Sequence, residues 1–154
     1  MPQPGVPFSL SRKESQVNAT AGVQYVAVER RVLGVARLDD ERLVLQLAES
    51  RAVTEVTDVG YRQRIEADPV AERAVPLDLL GDARLRRRWL AWELVLTAID
   101  LRAFEGVPGA AGVELRLRVE RRHRDQADEL VSALRLALAD LALRQAEHGR
   151  RLAR

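Results

Sequence analysis

The chain has 154 residues, with 25 basic against 23 acidic side chains and no cysteine. That length suits one domain with a real core, and 47% hydrophobic with 31% charged residues is the balance of a soluble globular chain, not a disordered one. No apolar run reaches the ~18–20 residues of a membrane span, and the lack of cysteine excludes disulfides, thiol catalysis and cysteine metal sites.

Residues 1–22 carry Pro2, Pro4, Gly5 and Pro7 and read as a tail, with Phe8 and Leu10 as its anchors. Its start has no apolar signal core, so a cytoplasmic protein is expected. Asn18-Ala19-Thr20 matches a glycosylation acceptor, a chance match in that setting. Lys13 is the single lysine among the 25 basic residues, an arginine bias expected of a GC-rich bacterial genome.

The folded unit is expected over 23–149, followed by a basic end at 150–154. Strand signals run from Val23. Val23, Tyr25 and Ala27 alternate with Gln24, Val26 and Val28, and 32–36 continues the style with a bend or bulge at Gly34. Residues 38–43 read as a hairpin turn, and Leu43, Leu45 and Leu47 lie on the returning strand. Further strands are expected at 52–57 and 61–66, with a turn or bulge at Gly60. Asp68-Pro69 breaks the pattern, and 73–79 is short and extended. Residues 81–90 fit either a short helix capped by Asp82 or an extension of the next strand. In Trp92 to Ile99 one face carries Trp92, Leu94, Leu96 and Ala98. Gly106, Pro108, Gly109 and Gly112 make a loop. Val113 to Val119 is a strand with Val113, Leu115, Leu117 and Val119 inward. The final segment predicts a helix from an N-cap at Asp125, with Asp128 three residues on, to a stop near Gly149.

The expected fold class is therefore α+β: an antiparallel six- to seven-stranded sheet or partly open barrel, capped by one long C-terminal helix. Leu94, Leu96, Leu115, Leu117, Leu130 and Leu134 are expected in one core with Trp92 and Leu141.

Catalytic patterns are missing. His123 and His148 are the only imidazoles, and each sits where a solvated or helix-end role explains it. Asp39-Asp40-Glu41 reads as a solvated turn, because neighbouring side chains diverge. The spacing of Gly106, Gly109 and Gly112 is not that of a dinucleotide loop. No enzyme, cofactor or metal is expected.

Two features suggest binding. Arg84, Arg86, Arg87 and Arg88 run into Trp89 and Trp92, and Arg116, Arg118, Arg121, Arg122 and Arg124 form a second basic segment. Arginine with tryptophan can grip anions and stack bases. Yet residues 1–110 hold 15 basic and 16 acidic side chains, and 111–154 hold 10 and 7, a weak field for a nucleic-acid binder. Nucleic acid is thus the runner-up partner.

The helix carries two stripes. Ala127, Leu130, Val131, Leu134, Ala137, Leu138 and Leu141 should pack on the sheet. Ser132, Leu136, Ala139, Leu143 and Ala146 form a second row about 160–180° away at ~100° per residue. One helix on one sheet buries only one stripe. A second copy of the chain is the expected cover, making a homodimer; the competing cover is the tail with Phe8 and Leu10.

Strands followed by one C-terminal helix resemble the pleckstrin-homology-like (PH-like) domain of bacterial type over roughly 23–146. Val113 to Val119 and then Asp125 to Leu141 look like its closing strand and capping helix, and 75–79 with 93–99 is similar to the preceding strands. The family's helix tryptophan is missing, since Trp89 and Trp92 lie upstream. Its phosphoinositide signature is a basic first hairpin; here that hairpin would be Arg31 to Leu43, with an acidic turn. The resemblance therefore implies a protein-binding or assembly module, not a lipid reader, and no membrane partner.

Overall fold

A computed structural model describes residues 4–16 and 23–154. Eight strands precede one long helix: β1 (Val6–Gln16), β2 (Val23–Asp39), β3 (Arg42–Thr57), β4 (Gly60–Ala67), β5 (Ala71–Pro76), β6 (Leu80–Arg87), β7 (Trp92–Ala98), β8 (Glu114–Val119) and α1 (Arg124–Leu152). All pairings are antiparallel, in the order β4-β3-β2-β1-β8-β7-β6, and the sheet does not close. β5 pairs with β3 beyond the end of β4, so the two act as one interrupted edge. The interruption is Asp68-Pro69-Val70, where proline has no N–H to donate.

The α+β expectation holds, with more strands than predicted. The largest departure is at the N-terminus. Residues expected to be a tail form β1, which pairs along β2 from Val6↔Ala36 to Gln16↔Val26 and reaches β8 at Ser9↔Arg118. Val6 and Phe8 are in the core and Leu10 packs against it. Tail residues 1–3 and 17–22, including Asn18-Ala19-Thr20, lie outside the described residues. The turn at Asp39–Glu41 consequently joins the second hairpin, β2 to β3, and not the first.

β2 and β3 are each continuous where shorter strands were expected. Gly34 is no bulge: it pairs in register with Phe8 and Leu47. A Cβ there would sit 2.4 Å from Phe8 Cζ and 2.5 Å from Gln46 O, so glycine is what admits the ring. Residues 81–90, open between helix and strand, are strand to Arg87 and then a tight turn closed by Arg88 N–H donating to Ala91 O at 2.8 Å.

One hydrophobic cluster unites the sheet's inner face, the 101–107 loop and α1. It includes Phe8, Leu43, Leu45, Leu94, Leu96, Phe104, Leu115, Leu117, Leu130 and Leu134. Trp92 and Leu141, expected with them, lie at its margin, partly buried. α1 starts at Arg124 with His123 as N-cap, not Asp125, whose carboxylate sits in the first turn beside the positive helix end. It runs through Gly149 to Leu152. No helix among the described residues is long and apolar enough to cross a membrane.

Candidate functional site

α1 shows two opposed faces. Ala127, Leu130, Val131 and Leu134 are buried, and Ala137, Leu138 and Leu141 pack partly against the same core. Opposite them Ser132, Leu136, Ala139, Leu143 and Ala146 are all exposed. Leu136 and Leu143 keep 66% and 64% of their surface accessible, although both are large aliphatic groups. Phe8 and Leu10, the anchors of the competing cover, do not reach this row: Phe8 is committed to the core through β1 and Leu10 packs there too. Beyond Leu141 every residue to Arg154 is exposed, so the last turns of α1 project from the body. Helical segments of that length are marginal without packing.

The second surface lies on the outer face of β6, β7 and β8. Antiparallel register aligns Arg84, Val95 and Arg116 in one row, and Arg86, Glu93 and Arg118 in the next. The two basic segments of the sequence thus flank β7 on one face. Glu93 pairs with Arg86 and, at 3.5 Å, with Arg88. Glu114 pairs with Arg116, whose hydrogen bond holds the Glu114 carboxyl below its ordinary range, with Arg84 and Arg86 adding to the effect. No ion pair occupies Arg84, Arg87 or Arg118 among the described residues. Arg86 retains a buried Nε with no acceptor.

The turn after β6 completes this surface. Trp89 and Leu90 are 89% and 65% exposed at its tip, beside an open cleft of about 680 Å³ lined by Arg87, Arg88, Trp92 and Arg118. Arg121 donates to Trp89 O at 3.2 Å, and the Arg124 guanidinium lies 4.8 Å from the Trp92 ring centroid. The sequence showed both basic segments but not their meeting. The missing signal was the strand register, which makes β7 the strip between them and puts Glu93 between Arg86 and Arg118.

The opposite end of α1 borders a cleft of about 630 Å³ with Asp40, Glu41 and Asp78 facing Arg42 and Arg144 in its wall. Arg144 Nη1 reaches Glu41 Oε1 at 2.7 Å, which ties the helix to the β2–β3 turn. The two imidazoles lie apart from both clefts: His123 Nδ1 is 3.0 Å from Gln126 Oε1, and His148 is on the exposed end of α1. Among the described residues no group of His, Asp and Glu is placed to hold a metal ion.

In comparisons with known proteins, no family model, no curated protein and no solved structure matches the chain.

Proposed function

We propose that the chain is a non-enzymatic binding and scaffold module of PH-like type, which self-associates through α1 and engages another protein. The element order, strands and then one capping helix, supports the architecture. The observation that carries the function is the exposed row of Leu136 and Leu143 on a helix whose other face is already seated in the core. Other large apolar side chains, Tyr61, Ile65, Ile99 and Leu101 among them, are also exposed, but Leu136 and Leu143 continue one helical row with Ala139 and Ala146, and a contiguous apolar strip of this kind supports an interaction site. A two-fold pair covers it with the same strip from a second copy. Burying one leucine is worth roughly 1.5–3 kcal/mol, so four across a pair offset much of the association cost of about 4–15 kcal/mol. A cytoplasmic setting belongs to the same proposal.

Amide hydrogen exchange tests it. Residues 142–150 should gain protection as protein concentration rises through the micromolar range, because pairing covers an otherwise bare helix. Exchange in that segment that ignores concentration contradicts the reading.

The arginine face supports a second reading, binding of an anionic ligand or nucleic acid. What favours it is the convergence of Arg84, Arg86, Arg116 and Arg118 across β7 beside the exposed Trp89. Such binding would fall steeply with salt, as released counterions drive it.

A further inference from the structure

The exposed row of α1 has a direction. At steps of 3 and 4 it reads Glu129, Ser132, Leu136, Ala139, Leu143, Ala146, Arg150 and Ala153, every one exposed. Acid gathers at its start, where Asp125 and Asp128 flank Glu129. Base gathers at its end, with Arg150, Arg151 and Arg154. The leucines alternate with small residues. That spacing lets two backbones approach closely when a leucine of one helix faces a small residue of the other.

Two orientations of a second copy place these groups differently. A parallel pair sets each position against its own mate. Glu129 would then face Glu129 and Arg150 would face Arg150, two like-charge layers, and the small residues would meet each other. It would offer one compensation, Arg135 to Asp140 between copies. That guanidinium is already engaged: Arg135 Nε donates to Ala83 O at 2.8 Å and lies 3.7 Å from Asp82 Oδ1.

An antiparallel pair resolves each layer. Leu136 meets Ala146 of the second copy, and Leu143 meets Ala139. Arg150 lies over Ser132 of the second copy, one turn from its Glu129. Opposed helix dipoles add to the attraction, since each acidic start lies beside a basic, electronegative-carbonyl end. The single like-charge approach, between the two Asp140 side chains, falls at the exposed rim where solvent and salt screen it.

We infer that α1 docks a second copy of this chain in antiparallel orientation, with Leu136 on Ala146, Leu143 on Ala139 and Glu129 beside Arg150. The inference rests on the self-association proposed above and adds its orientation and register. Each body stays on the outer side of the helix pair, because the stripe that binds it faces away from the seam. The arginine faces of the two copies consequently lie at opposite ends of the assembly.

The absence of cysteine gives a clean test. A single Ala153→Cys variant, labelled with a nitroxide, changes neither the leucines nor the charges. The antiparallel register sets Ala153 beside Glu129 of the second copy, so the two labels lie about 36 Å apart at ~1.5 Å per residue. Dipolar spectroscopy should find that separation. A dimer with labels within about 15 Å, as side-by-side helix ends require, or at any other distance, overturns the orientation and leaves self-association standing. A wild type that is monomeric at all concentrations overturns both. Charge exchange supplies the second measurement. Glu129→Arg and Arg150→Glu should each weaken the dimer by about three- to tenfold, the range of partly exposed ion pairs. The double variant should regain affinity; a double variant weaker than either single one also overturns the register.

Discussion

Phe8 and Gly34 form the tightest single contact between sequence and fold. The ring lies over a residue that must lack a Cβ, with Gln46 O closing the other side. Gly34→Ala should lower stability by about 1–3 kcal/mol, the cost of overpacking a filled site. Adding Phe8→Leu should recover only part, because Gln46 O belongs to the backbone and cannot move aside. Full recovery on thermal unfolding would contradict this packing. Asp100 is a second residue with a defined signature. The Arg102 side chain, and then its backbone N–H, hydrogen-bond the carboxylate and lower its pKa from 3.8 to about 2. The folded state therefore favours the charged form. Its stabilisation is full above the unfolded value of 3.8 and is lost as pH falls through about 2. Carbon NMR of the carboxyl should show a midpoint near 2, returning toward the ordinary value in Arg102→Ala. A wild-type midpoint at the ordinary value contradicts the contact.

At the scale of elements, β7, β8 and α1 were legible because most of the residues they bury follow the strand or helix period; Val95, buried on the other side of β7, and Val113, expected inward but exposed and outside β8, depart from it. β1 was not, although Val6, Phe8 and Leu10 alternate with Pro7, Ser9 and Ser11. Three prolines drew attention to its start, yet proline is tolerated at the first residues of a strand. β4 was found from residue type alone, and its exposure on both faces removes any core pattern. The α1 core stripe predicts that Leu134→Ala, at a site with no exposed surface, costs about 2–5 kcal/mol. An unchanged melting temperature would overturn the seating of the helix. The arginine run is not uniform either. Arg87 is exposed without an ion pair among the described residues, so Arg87→Ala should stay within about 0.5 kcal/mol. Arg86→Ala strips the main partner from Glu93, whose side chain is only 14% exposed, and should cost about 1–3 kcal/mol. Equal effects from the two substitutions would contradict the paired role of Arg86.

At the scale of the whole molecule, the sequence revealed two helix stripes, and the sheet covers only one of them. The geometry of the second stripe was readable because helical spacing is local. What covers it was not, since that depended on where Phe8 and Leu10 go. Their place in β1 removes the cover within the chain that those two residues could have supplied and leaves Leu136 and Leu143 bare. Sedimentation equilibrium at micromolar concentration shows whether this row pairs two copies. The wild type should sediment as a dimer and Leu136→Glu/Leu143→Glu as a folded monomer whose melting no longer depends on protein concentration, because neither leucine is part of the core. A monomeric wild type, or a double variant that stays dimeric, would contradict that pairing.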